Sequence, residues 1–212
     1  MTVKYQVSNT IITNNGSPHG CILSLLLFGL YTNGLRSYHP DVQIIKYADD
    51  TLIVGNIVND DSTRYRNVID VCVDWCTDNK LVLNETKTKE LIFDFRRIKA
   101  PQEDIVIKNV PVEIVHSFKY LGCIIDDKLT FQQHADYVLK KACQRRFLVY
   151  QLYSFNINKT FIALAYSALV RSTLQYCVPI FFAMMNKKNQ KKFLTMVHIY
   201  FKTINYITVY LA

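Results

Sequence analysis

Two adjacent aspartates, Asp49 and Asp50, stand between two short runs of β-forming residues, Val42–Tyr47 and Thr51–Ile57. This arrangement leaves the local backbone few options. β-branched and aromatic residues favour strands, and a polar break between two such runs predicts a hairpin with Ala48-Asp49-Asp50 at its tip. Neighbouring carboxylates repel one another, and a divalent cation is their natural neutraliser. Hard carboxylate oxygens suit Mg²⁺ or Mn²⁺. Successive strand residues point to opposite sides, so one aspartate is expected to be the principal ligand. The plainer alternative is a solvated turn, because Asp is an ordinary turn residue.

The pattern on either side of this hairpin predicts an α+β fold. Val3–Thr13 reads as a strand, Asn14–Gly20 as a loop punctuated by Gly, Pro and Asn, and Cys21–Leu35 as a buried helix that is apolar nearly all round. Asp61–Asn79 places Tyr65, Val68, Ile69, Cys72, Val73 and Cys76 at helical spacing, with Asp61 or Ser62 as N-cap. Leu81–Leu83 and Glu90–Phe95 read as strands, and Ile105–Ile125 as a pair of short strands punctuated by Pro111 and Gly122. From Thr130 onward the pattern turns helical. Three or four helices are expected, the first over Gln132–Tyr153 with Ala135, Val138, Leu139, Ala142, Val149 and Leu152 as its apolar stripe. A boundary near residue 130 therefore separates a mixed part, 1–130, from an all-helical part, 131–212.

Charge changes at the same place. Of 25 Lys/Arg and 17 Asp/Glu, residues 131–212 hold 11 basic residues against the single acid Asp136, which leaves 14 against 16 for residues 1–130. A basic helical half points to a polyanion such as nucleic acid; a solvated helix surface is the alternative. A 50% hydrophobic, 20% charged chain excludes a disordered or fibrous class. Six cysteines without a C-x-x-C pair predict reduced thiols rather than a zinc site, and a nuclear or cytoplasmic protein. No signal peptide is expected, since Met1–Gly16 lacks an apolar run. Phe161–Met185 is apolar but interrupted by Arg171, Gln175 and Pro179, so a buried helical pair is expected there ahead of a membrane span.

The motifs also carry a resemblance. Asn15-Gly16-Ser17-Pro18-His19-Gly20-Cys21-Ile22-Leu23-Ser24 precedes Tyr47-Ala48-Asp49-Asp50. Trp75-Cys76 through Leu83-Asn84, Lys87-Thr88-Lys89-Glu90, Ser117-Phe118-Lys119-Tyr120-Leu121-Gly122 and Thr130–Phe155 follow in order. Together they resemble the reverse transcriptase of LINE-type (non-LTR) retrotransposons. The resemblance implies a truncated right-hand polymerase: a partial palm of antiparallel sheet and helices over 1–130, then a helical thumb and following helices over 131–212. It implies RNA-directed DNA polymerisation by two-metal nucleotidyl transfer, with an RNA template, a DNA primer and dNTP as partners and Mg²⁺ or Mn²⁺ as cofactor.

By the same resemblance, Asp49 and Asp50 hold metal, and Lys87 protonates the leaving pyrophosphate unless it is simply a solvated turn lysine. Gly16, Ser17, Pro18, His19, Gly20 and Tyr47 meet template or nucleotide. Tyr120, Leu121 and Gly122 grip the primer end, with ordinary strand packing as the alternative. Lys140, Lys141, Arg145 and Arg146 meet phosphates along the duplex.

Several residues depart from the family pattern. His19 replaces a glutamine, Leu25 replaces a proline, and Asn33-Gly34 stands where an Asn-Asp pair is common. The family also places a third catalytic aspartate on a strand before the glycine loop, whereas no acidic residue precedes Asp41 here. The expectation is that this polypeptide alone does not polymerise. A non-catalytic nucleic-acid-binding remnant is the competing reading, and an oligomeric state is not assigned.

Overall fold

The computed structural model describes residues 22–98, 103–155 and 157–208, with backbone alone at Ile22 and at 198–208. The strand expected over Val3–Thr13 and the glycine loop lie outside the described residues. The chain divides into two compact units: residues 1–84 with 107–109, and residues 85–106 with 110–212.

In the first unit, α1 (Ile22–Tyr31) leads through a 3₁₀ turn, Thr32–Gly34, to a hairpin of β1 (Val42–Tyr47) and β2 (Asp50–Gly55). Helix α2 (Thr63–Asp78) packs on that hairpin. The register pairs Val42 with Gly55, Ile44 with Ile53 and Lys46 with Thr51, which puts these residues on one face. That face meets the stripe Tyr65, Val68, Cys72 and Trp75 of α2 in a small core that includes Leu35. Gly55 permits the close approach: a Cβ there would stand 2.5 Å from Cδ2 of Tyr65.

The start and stop of α2 follow from side-chain and backbone capping. Asp61 Oδ1 accepts the N–H of Thr63 at 3.0 Å beside the N-cap Ser62. At the other end Lys80 adopts φ 58°, its N–H donates to Thr77 O at 3.1 Å, and the N–H of Leu81 donates to Cys76 O at 2.8 Å. This is a Schellman cap. It corrects the strand expected over Leu81–Leu83, whose first N–H closes a helix instead of joining a ladder. Helix α1 also differs from expectation. Leu23, Leu25, Leu26, Leu27 and Leu30 are exposed. An apolar composition demands burial but does not name the surface that provides it.

The second unit begins with two-residue strands β3 (Lys89–Glu90), β4 (Val106–Ile107, whose second residue counts with the first unit), β5 (Val110–Pro111) and β6 (Glu113–Ile114), followed by the hairpin β7 (Ser117–Tyr120) and β8 (Cys123–Asp126). The strand expected over Glu90–Phe95 shrinks to β3, which pairs in parallel with β6. The architecture is mixed α+β, with small hairpins and short strands followed by a helical region; among the described residues strands pair only two at a time.

Helix α3 (Gln132–Ser154) carries the expected stripe, with Ala135, Val138, Leu139, Ala142 and Val149 buried. Against it pack α4 (Lys159–Tyr166), a π-helical turn Ser167–Arg171, α5 (Ser172–Gln175), α6 (Val178–Phe181) and α7 (Lys187–Thr208). The stretch Lys159–Met184 is long and apolar enough to cross a bilayer by composition. Here it breaks at Cys177 (φ 58°); Ile162, Tyr166, Val170, Leu174 and Phe181 are buried in the helical core, while Phe161, Leu164, Tyr176, Ile180 and Met184 are exposed, so the stretch is only partly the buried helical pair expected.

The join between β8 and α3 rests on Asp126. Its carboxylate accepts the N–H groups of Lys128, Thr130 and Phe131 at 3.2, 2.9 and 2.7 Å, and the Thr130 hydroxyl at 3.1 Å. Burial opposes its charge, but these donors outweigh burial and hold its pKa below the ordinary value. Beside it His134 is fully buried, its Nδ1 accepting the N–H of Ile124 at 3.2 Å and its ring edge-on to Phe181 with centroids 4.7 Å apart.

Candidate functional site

The hairpin tip is one residue shorter than the expected Ala48-Asp49-Asp50. Tyr47 pairs with Asp50, so Ala48 and Asp49 form a two-residue turn, and Ala48 takes a left-handed φ of 52°. Asp49 therefore sits in the turn and Asp50 opens β2. The two are not equivalent: Asp50 shares the outward face of the hairpin with Tyr47, Ile45, Leu52 and Val54, opposite the face that packs on α2. Both carboxylates are exposed, and among the described residues neither forms an ion pair or a side-chain hydrogen bond. The nearest cation in sequence, Lys46, lies on the packed face, where its ammonium donates to Thr32 O at 2.5 Å and Leu35 O at 3.2 Å.

Two adjacent carboxylates without a protein counter-charge fit a divalent cation as part of its ligand set. The fit is partial, because the described residues contain no group of three or more His, Cys, Asp or Glu able to hold a metal ion. The loop residues Gly16, Ser17, Pro18, His19 and Gly20 lie outside the described residues. Tyr47, Asp49 and Asp50 belong to the first unit; Lys87, the Tyr120–Gly122 turn and the basic residues of α3 belong to the second.

Lys87 is exposed in the turn that follows Asn84. Tyr120-Leu121-Gly122 forms the tip of β7–β8. Tyr120 pairs with Cys123, and the two turn residues have positive φ, 45° at Leu121 and 86° at Gly122. Positive φ at both centres suits the strand twist, and glycine meets it at least cost. The hydroxyl of Tyr120 is buried without a hydrogen-bond partner among the described residues.

The basic residues of α3 divide by role. Lys140 and Arg146 line an open groove of about 650 Å³ between α3 and α7, facing Lys188, Lys191 and Lys192 over a floor of Leu139 and Met196. Five cations thus converge where the single acid, Asp136, accepts Asn189 Nδ2 at 3.0 Å. Arg145 donates to Leu169 O at 3.0 Å and to the Thr173 hydroxyl, so it ties α3 to the π-helical turn. Lys141 donates to the Tyr137 hydroxyl. Sequence reasoning did not single out the α7 lysines, although a Lys-rich first turn on an amphipathic helix was visible at 187–192. Nor did it single out Asp126 or His134, which lack a pattern that distinguishes them from surface polar residues.

The profile of the family described as reverse transcriptase (RNA-dependent DNA polymerase) matches residues 2–125. The chain is similar to three Drosophila melanogaster proteins. It is 26% identical to the probable RNA-directed DNA polymerase from transposon BS, over 61% of this chain and 15% of that protein. It is 27% identical to the corresponding protein of transposon X-element, over 56% and 14%. It is 24% identical to the RNA-directed DNA polymerase from mobile element jockey, again over 56% and 14%. The matched region thus spans about one seventh of these relatives. No solved structure matches the chain.

Proposed function

Because this chain belongs to the reverse transcriptase (RNA-dependent DNA polymerase) family, we propose that it is the palm and thumb portion of an RNA-directed DNA polymerase of a non-LTR retrotransposon. The observation that carries this reading is the exposed Asp49-Asp50 pair at a tight hairpin tip, with no counter-charge among the described residues. Asp49, with Asp50 beside it, would hold Mg²⁺ or Mn²⁺. When bound, such ions activate a primer 3′-hydroxyl and neutralise the leaving pyrophosphate.

The chain's own residues supply position. The β1–β2 turn fixes the two carboxylates on a hairpin braced by α2. The Tyr120–Gly122 turn would hold the primer end, and Lys87 would donate a proton to the leaving group. Lys140 and Arg146, with the α7 lysines across the groove, would neutralise duplex phosphates. RNA template, DNA primer and dNTP are the substrates of this reading.

Two-metal transfer in this family uses three carboxylates, and the β1–β2 hairpin brings two of them together. A second reading, a non-catalytic nucleic-acid-binding remnant, is favoured by the cationic groove, which needs no metal to act. Mn²⁺-induced broadening of backbone amide resonances separates the two. The polymerase reading expects broadening centred on residues 47–52, abolished in Asp49→Asn/Asp50→Asn. Equal broadening in the variant would overturn it and leave the binding reading.

A further inference from the structure

Lys119 of β7 and Lys141 of α3 converge on one oxygen. The ammonium of Lys119 stands 3.4 Å from the hydroxyl of Tyr137 and that of Lys141 stands 3.2 Å from it. Both also lie over the same ring, 4.8 and 5.4 Å from its centroid. Neither lysine forms an ion pair with a carboxylate among the described residues; Glu113 pairs with Lys89, Asp94 with Arg96 and Asp127 with His116. Asp136, next to Tyr137 in sequence, is occupied by Asn189.

Two cations gathered on a neutral phenol form an incomplete arrangement. The ring's negative face attracts each ammonium, but one phenol oxygen cannot balance two charges. The missing group has a defined chemistry. It is an anion with at least two acceptor oxygens, able to bridge ammoniums that already meet at one atom, and able to accept the Tyr137 O–H. A phosphate group satisfies all three conditions, and Lys is a common point-charge partner for it. The hydrogen bonds from Lys141 and Lys119 also draw the Tyr137 phenol below its ordinary pKa.

We infer that Lys119, Tyr137 and Lys141 form a phosphate site that receives one phosphodiester of a bound nucleic acid, joining the β7–β8 hairpin to α3. The inference rests on the nucleic-acid reading above. It adds Lys119 and Tyr137, to which that reading gives no part, and it takes Lys141 out of the α3–α7 groove, whose lining it does not share.

The test uses the whole 212-residue chain and the fluorescence anisotropy of a labelled RNA–DNA primer–template duplex across a salt series. Lys119→Met and Lys141→Met should each weaken binding about fivefold at moderate salt and lower the salt slope by about one. Tyr137→Phe should weaken it about twofold, as expected for one neutral hydrogen bond. Lys128→Met, on an exposed lysine outside the cluster, should change neither. Thermal unfolding within about two degrees of wild type checks that each variant folds. Unchanged affinity and slope in all three cluster variants, with wild type binding normally, would overturn this site while leaving the groove reading intact. Absence of duplex binding by wild type would overturn both. A second arm titrates inorganic phosphate against the Tyr137 ring resonances. Saturation at low millimolar phosphate, with duplex affinity unchanged in the variants, would assign the site to a free phosphate and overturn the nucleic-acid assignment.

Discussion

The hydroxyl of Tyr176 donates to the carbonyl oxygen of Leu121, so the residue that ends α5 holds the tip of the β7–β8 hairpin. The contact also confines Gly122, because a Cβ there would stand 3.4 Å from Cε1 of Tyr176 on a backbone with φ 86°. The turn assigned to the primer end is therefore fixed from the helical side. Tyr176→Phe should lower stability by about 1 kcal/mol, the usual net worth of one hydrogen bond. Gly122→Ala should cost about 1–2 kcal/mol through its left-handed backbone. Urea unfolding of both variants checks this, and an unchanged midpoint for Tyr176→Phe would remove the hydroxyl from the account.

Asp126 should make the helical unit acid-sensitive. Its folded pKa lies below the ordinary value of 3.8, because its backbone and hydroxyl donors outweigh the effect of burial. A depressed carboxylate pKa contributes stability that is fully present above the unfolded value and is lost as pH falls through the folded one. The loss should begin below about pH 4. Asp126→Asn should remove that pH dependence and cost about 2–3 kcal/mol at neutral pH, since three N–H groups would face an amide with one acceptor oxygen. Melting curves from pH 7 to pH 2.5 for both proteins make the comparison.

His134 acts at higher pH. Burial, with a smaller contribution from Lys119, lowers its pKa below the ordinary 6.5. The unfolded chain then binds a proton that the folded chain resists, so stability falls as pH drops below about 6.5 and levels off under the folded pKa. His134→Gln keeps an acceptor for the Ile124 N–H and removes the titration. The wild-type minus variant difference in unfolding free energy should shrink between pH 7 and pH 5. A flat difference would show that His134 does not titrate in this window.

The α3–α7 groove should dominate the salt dependence of nucleic-acid binding. The double substitutions Lys140→Ala/Arg146→Ala and Lys188→Ala/Lys191→Ala should each reduce the slope of log affinity against log salt by about two, with little preference for sequence. Arg145→Ala should behave differently. Its guanidinium bonds Leu169 O and Thr173, so stability should fall by about 1–3 kcal/mol. Anisotropy at several salt concentrations, beside thermal melts, separates the two kinds of loss.

What was legible in the sequence followed local rules. The β1–β2 hairpin appeared where Val42–Tyr47 predicted its first strand, because two β-rich runs around a short break specify a hairpin; the expected three-residue tip contracted to Ala48-Asp49, with Asp50 opening the second strand. The α3 stripe appeared because 3.6-residue spacing selects one face. The failures came where an N–H or a side chain had a distant or unmarked partner. Leu81 looked like a strand residue, yet its N–H closes α2. Arg145 and Lys141 looked like equivalent neighbours of Lys140, yet one bonds the π-helical turn and the other a tyrosine.

The sequence by itself determined the family, the passage from a mixed α+β part to a helical part and the carboxylate pair at a hairpin, since each depends on residues close together in the chain. Only the tertiary structure decided which cations face a shared groove and which are tied to carbonyls. It also decided that Asp126 and His134 are buried organisers of the hairpin–helix join. Helical periodicity places a side chain on a face, but its charge becomes free or committed only when another element supplies, or fails to supply, a partner within hydrogen-bond distance.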